Sequence, residues 1–123
     1  MAKFEKEALD AVKLQTIEAL ANYGSSVQLL VETWLDMALY AEVSDKIEEI
    51  RRYCLLLPRL SVRWTALLIS HAELMHLLWL RDHVGPPYGT NEIQLHLSQH
   101  MERIQALSAT CWRELGKPFP PPA

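Results

Sequence analysis

The sequence predicts an all-α protein: an antiparallel bundle of four long helices, or five if the second breaks near residues 42–44. Three observations carry this reading. Apolar residues recur at steps of three and four along most of the chain, and nothing alternates with period two beyond a few residues. Leu, Ala, Glu and Arg outweigh Val, Ile and Thr, a helix-favouring balance. Gly and Pro are confined to a few points, where they punctuate. With 123 residues, 50% of them hydrophobic, the chain suits a single domain over 1–116 with a core of its own, followed by a Pro-rich extended tail over 117–123.

The first helix is expected over Ala2 to Asn22. Leu9, Val12, Thr16 and Leu20 recur at helical spacing, and Gly24 stands where a left-handed C-terminal cap belongs. That stripe is thin, so the helix should pack at the periphery. Ser25 or Ser26 then caps a second helix with Val27, Leu30, Val31, Trp34, Ala38 and Ala41 on one face. Continuing the same phase would bury Asp45, Glu48 and Glu49, whereas the apolar residues become Val43, Ile47, Ile50, Cys54 and Leu57. Such a phase slip implies a break near 42–44, with Ser44 as the new N-cap.

Pro58 ends this segment, because its ring cannot donate to the preceding turn. Ser61 caps a central helix reaching Val84, and Gly85 to Thr90 forms a tight, proline-stiffened connection. Thr90 or Asn91 caps the last helix, which runs to Leu115 and is ended by Gly116.

All five histidines fall between His71 and His100, within the hairpin made by the last two helices. In the last helix Ile93, Leu97, His100, Met101, Ile104, Leu107 and Cys111 share one side. The central helix is apolar around most of its circumference. Levelling Val84 with Thr90 puts His76 at the height of Ser98 and His71 within a turn of Ile104.

Three chemical readings of the histidines follow. His96 and His100, at i and i+4, project from one side and with one of His71 or His76, His76 foremost, would form a zinc or nickel site. His71 and His100, lying in apolar stripes, would line a small-ligand site or simply be buried with hydrogen-bond partners. Glu73 and His76 have the Glu-x-x-His spacing of di-iron bundles, but the second such motif which that chemistry needs is missing. His83 suits the negative end of the central helix, and His76 and His96 suit the surface.

Other classes are disfavoured. Ser70 precedes His71, but helix neighbours point about 100° apart, so the two make no catalytic pair. No glycine-rich phosphate loop is present. The net charge is −3 and the longest basic run is Arg51-Arg52, too little positive field for nucleic acid. Residues 1–57 hold ten acids and six bases (net −4), against five acids and six bases (net +1) in 58–123. Cys54 and Cys111 are isolated and read as buried thiols. The N-terminus lacks the apolar stretch of a signal peptide, and the apolar run of the central helix is interrupted by His71, Glu73 and His76. A soluble, cytoplasmic protein with no membrane partner is expected.

A helix apolar all round is either enclosed by its own chain or lends a face to another subunit. The functional expectation is therefore a non-enzymatic bundle acting through protein–protein contact: a self-associating regulator, adaptor or chaperone-like factor. It would be a homodimer with Leu68, Ala72, Met75 and Trp79 at the interface and no required cofactor. The alternative is a bundle that binds a metal, such as zinc, or a small ligand through the histidine cluster of 61–115.

Overall fold

A computed structural model of the protein describes residues 2–33, 36–85 and 89–116. Four α-helices follow in order: α1 (Ala2–Glu32), α2 (Met37–Leu55), α3 (Ser61–Val84) and α4 (Thr90–Glu114), with a 3-10 turn over Pro58–Leu60 between α2 and α3. The all-α bundle expected from the sequence is what forms. α1 packs against α2 and α4 and α4 against α3, while the contact between α2 and α3 is much slighter. Tyr23 of α1 lies level with His71 of α3 and His100 of α4, and Val31 with Arg81, so α1 and α3 run parallel while α4 runs against them.

The core is one cluster drawn from all four helices. Leu20, Tyr23, Val27 and Leu30 enter from α1, Val43 and Ile50 from α2, Leu67, Leu74 and Leu78 from α3, and Ile93 and Leu107 from α4. Burying a large apolar side chain of this kind stabilises a fold by about 1.5–3 kcal/mol. Cys54 and Cys111 are buried and unbridged, and burial pushes their thiols up to about 12 and about 11. Among the described residues, no helix is long and apolar enough to cross a membrane.

The helix boundaries differ from expectation in an instructive way. Gly24 is no cap: it is buried in the middle of α1 and its backbone is not left-handed. A Cβ placed there would stand 3.4 Å from Met101 Cε and 3.7 Å from Ile104 Cδ1, so the glycine marks where α1 comes close to α4. Because α1 continues, its stripe is not thin. Thr16, Leu20, Tyr23, Val27 and Leu30 form one buried face, and the helix is central rather than peripheral.

The phase slip between the Val27–Val31 face and the Val43–Cys54 face is real, but it is absorbed earlier than 42–44. α1 ends at Glu32 and Asp36 caps α2, its carboxylate accepting the Leu39 N–H at 3.1 Å. Ser44 is interior to α2, and Ala38 and Ala41 are exposed. Alanine tolerates either side of a helix, so these two residues did not constrain the phase. Trp34, placed on that face from sequence, lies outside the described residues, as do 86–88 and the tail 117–123.

Two expected caps are also replaced. Ser61 is the first residue of α3, its carbonyl accepting from Thr65 Oγ1 at 2.8 Å, and α4 is entered through Gly89 at φ +69°. Gly116, at φ +73°, closes α4 as expected. α1 has no basic residue in its last turn, and Arg81 of α3 supplies one: its Nη2 donates to the Val31 carbonyl at 3.1 Å.

The α3–α4 register departs from the levelling of Val84 with Thr90. His100 meets Ser70 and His96 meets Glu73, about one helical turn further back along α3 than expected. α3 therefore overshoots the start of α4.

Candidate functional site

Inside the bundle, side chains from three helices form a polar constellation. Tyr23 of α1 is fully buried, with its hydroxyl 2.6 Å from His71 Nδ1 on α3 and 2.7 Å from His100 Nε2 on α4. The other nitrogen of His100, Nδ1, meets Ser70 Oγ, which also lies 3.2 Å from the Leu67 carbonyl. The Tyr23 and His100 rings meet edge to face at a centroid distance of 5.5 Å, and the Tyr23 and His71 rings are tilted at 44° with centroids 5.8 Å apart. His100 and Tyr23 are 0% exposed and Ser70 is 5% exposed, while His71 is half-buried.

Proton counting fixes a direction for this chain. Four hydrogen bonds need four protons, and two neutral imidazoles, a phenol and a serine hydroxyl supply four. All four bonds are made when His71 Nδ1–H donates to Tyr23 Oη, Tyr23 O–H to His100 Nε2, His100 Nδ1–H to Ser70 Oγ, and Ser70 O–H to the Leu67 carbonyl. The opposite direction spends the serine proton on His100 and forgoes the bond to Leu67. Every buried side-chain nitrogen and oxygen among the described residues has a partner, as burial demands.

The electrostatics follow from the same enclosure. Burial holds both imidazoles below the ordinary histidine value, and His100 reaches about 3 because the neighbouring His71 and Arg103 add to the effect. Burial also pushes the Tyr23 phenol up. No carboxylate contributes to either histidine shift, so nothing offers an imidazolium a counter-charge. The cluster is a neutral clasp joining α1, α3 and α4.

Its chemistry is correspondingly restricted. Ser70 and His100 form a hydroxyl–imidazole pair, but with exposures of 5% and 0% no substrate reaches Ser70 Oγ. Surface clefts of about 340, 250 and 450 Å³ lie elsewhere, around Leu9, Lys13 and Pro58, around Gln15 and Glu49, and around Gly89 and Asn91. His71 and His100 do converge as a candidate ligand pair, yet the Tyr23 hydroxyl stands between them where a ligand would sit.

The zinc set His76, His96 and His100 is not assembled. Both nitrogens of His100 are taken by Tyr23 and Ser70, His76 is exposed on α3, and His96 Nδ1 faces Glu73 Oε2 at 3.5 Å. Among the described residues, no three His, Cys, Asp or Glu side chains are grouped to hold a metal. The physical reason is the register: with His100 turned into the core, its i, i+4 partner His96 is left at the α3–α4 boundary. His83 stands at the end of α3, where its Nδ1–H donates to the Trp79 carbonyl at 2.8 Å.

The expected interface residues divide. Leu68 is 40% exposed, Ala72 is exposed, and Trp79 is 37% exposed with one edge against Tyr40 of α2 at a centroid distance of 6.2 Å. Met75 is only 6% exposed and belongs to the core, so it leaves the interface set.

Sequence reasoning missed Tyr23 and Ser70. The signal for Tyr23 was present: reading through Gly24 continues Thr16, Leu20, Tyr23, Val27 and Leu30 at steps of four, three, four and three. Ser70 was set aside because it does not face His71. The two instead reach the same cluster from different sides, through His100 and Tyr23. No known protein family, curated protein or solved structure matches the chain.

Proposed function

We propose that the protein works by protein–protein contact, as a self-associating, non-enzymatic helical bundle of the regulator, adaptor or chaperone-like kind. One observation carries this reading. The outer side of α3 leaves Val62, Leu68, Ile69, Ala72 and Trp79 exposed, while Tyr23, Ser70 and His100 are buried and His71 is half-buried. Isolated surface hydrophobics are ordinary, but a row of them along one helix is the kind of surface that proteins cover with a partner.

A twofold homodimer is the simplest cover. The test is the mass by light scattering at micromolar concentration, expected at twice the 14.1 kDa chain. Trp79→Glu and, separately, Ile69→Glu should each return the mass to one chain with the helical circular dichroism kept. A wild-type mass of 14.1 kDa throughout rejects the dimer. Loss of helicity in Trp79→Glu would trace its effect to the Tyr40 contact within one bundle, and Ile69→Glu, with no such contact, then decides the question.

A further inference from the structure

Where α4 finishes, a cleft of about 340 Å³ opens between α1, the 3-10 turn and the last turn of α4. Its apolar lining is Leu9, Leu56, Leu57, Pro58 and Leu60, of which Leu9 is 40% and Leu56 56% exposed. The polar lining is Lys13, Arg59 and Glu114. Lys13 Nζ lies 3.3 Å from Asp10 Oδ1, and Arg59 Nη1 lies 3.5 Å from Glu114 Oε2. An ammonium carries three N–H groups and a guanidinium five, so each cation keeps donors beyond its ion pair. The cleft thus combines apolar walls with a surplus of donors over acceptors.

The chain delivers a segment of the complementary kind to this place. Glu114, in the wall of the cleft, is the last residue of α4, and Gly116, at φ +73°, turns the chain off the helix axis. Counting equally from the Tyr23–His100 contact, Glu114 falls level with Leu9, so α1 from Lys3 to Ala8 reaches past the end of α4 and is exposed throughout. The sequence continues with Lys117-Pro-Phe-Pro-Pro-Pro-Ala123, outside the described residues. After Lys117 it holds no charge, and proline has no N–H, so only Phe119 and Ala123 carry a backbone donor while every carbonyl accepts. A segment of ordinary composition would bury N–H groups that the single carboxylate of Glu114, already paired with Arg59, could not satisfy.

We propose that the cleft is the docking site of the chain's own Pro118-Phe-Pro120 segment, with the Phe119 ring on Leu56 and Leu60 and the segment's carbonyls accepting from Lys13 and Arg59. This is the chemistry by which proline-rich segments are recognised: preset rings on an apolar surface, with side-chain donors to their carbonyls. Reach permits it, because Phe119 stands three residues beyond Gly116, about 9 Å in polyproline geometry. Size restricts it, because the cleft lies near the lower end of the range of about 300–1,000 Å³ typical of ligand sites and takes a few side chains only. The tether decides the occupant. A short linker holds the segment at a local concentration of millimolar order, ahead of any free peptide of the same kind. The contact closes one end of the bundle and does not depend on self-association.

The test is nuclear Overhauser spectroscopy on the full chain with labelled methyl groups. Contacts are expected between the Phe119 ring protons and the methyls of Leu56 and Leu60. Phe119→Ser should shift the methyl resonances of Leu9, Leu56 and Leu60 and leave those of Leu74 and Leu78, deep in the core, in place. Leu56→Glu, at an exposed position, should abolish the Phe119 contacts with the helical circular dichroism kept. If helicity is lost there, Leu9→Glu on α1 makes the same test from the other helix. A wild-type spectrum without Phe119 contacts to the cleft overturns the proposal, and so does a Phe119→Ser variant whose cleft methyls do not move. Contacts that appear only between differently labelled copies in a mixed sample, and fade on dilution, overturn it as well, because the occupant is then the tail of a second copy.

Discussion

The two faces of α3 carry the same kinds of residue and put them to opposite uses. Its inner face presents Leu67, Leu74, Leu78 and His71 to the core, and its outer face presents Val62, Ile69, Trp79, His76 and His83 to solvent. A histidine in the inner set is one link in a chain of four hydrogen bonds and is held neutral by burial. A histidine in the outer set has water on one side. Composition alone cannot separate them, because the helix is apolar all round. The separation comes from the neighbours: α1 and α4 bring Tyr23 and His100 to one side of α3, and the other side meets Tyr40 of α2 at Trp79 and is otherwise exposed.

The largest effect should separate the faces by stability. Leu74 is 0% exposed, so Leu74→Ala removes buried methyl groups and leaves a void, costing about 2–5 kcal/mol. Ile69→Ala on the outer face should change monomer stability by less than about 0.5 kcal/mol. Urea unfolding at submicromolar concentration, where a weak dimer is dissociated, measures both. A large loss from Ile69→Ala would mean that the outer face is part of the core.

Next comes the clasp. Tyr23→Phe keeps the ring and deletes the hydroxyl that both His71 and His100 use, leaving two imidazole nitrogens without partners. An unsatisfied buried polar group costs about 1–3 kcal/mol, so a loss of about 2–4 kcal/mol is expected. Adding His100→Leu to Tyr23→Phe should cost less than the separate losses together, because the partner is already gone. Additive losses in that cycle would show that the ring contacts, and not the hydrogen bonds, hold the three helices.

The proton response of the inner face has a definite sign. His71 and His100 have folded values below the unfolded histidine value near 6.5, so below that pH the unfolded chain binds more protons. Stability is therefore present above about pH 6.5 and is lost as pH falls toward the folded values, about 3 for His100. Each fully excluded proton contributes a slope of about 1.4 kcal/mol per pH unit. A His71→Leu, His100→Leu variant should lose much of this slope between pH 6.5 and 5.5, read as urea midpoints. A variant that keeps the full wild-type slope would show that the fold excludes a proton from neither ring.

The fold class was legible because four long amphipathic segments need no exact boundaries to be recognised. Pro58 and Gly116 ended helices as their backbone chemistry requires. What could not be read was which weak signal wins. Gly24 followed by two serines resembles a stop and a new cap, yet α1 passes through it, because packing on α4 outweighs the cost of one interior glycine. Ala38 and Ala41 suit either side of a helix, so the place of the phase slip was open until Asp36 supplied the cap. The histidine cluster was half legible for the same reason. His71 and His100 lay in apolar stripes and proved buried, but Tyr23 came into view only once α1 was continuous. The direction in which His100 turned depended on an α3–α4 register that differs by about one helical turn from the levelling of Val84 with Thr90.

The smallest expected effect reads that misjudged glycine directly. If Gly24 were a left-handed cap, Gly24→Ala would force a Cβ into an unfavourable conformation and cost about 1 kcal/mol. In the structure Gly24 is helical and a Cβ finds Met101 Cε at 3.4 Å and Ile104 Cδ1 at 3.7 Å, ordinary contact with the ends of two flexible side chains. Alanine also removes the conformational freedom that glycine gives the unfolded chain, and it is the better helix former by about 1 kcal/mol. Gly24→Ala should thus raise stability by up to about 1 kcal/mol, less whatever Met101 loses in shifting. Gly24→Val, whose branched chain extends past the Cβ into Met101 and Ile104, should instead lower it. A loss from the alanine alone would mean that α1 and α4 approach more closely at this point, or that α1 is interrupted there; a gain from alanine and a loss from valine places the close packing of α1 on α4 at Gly24.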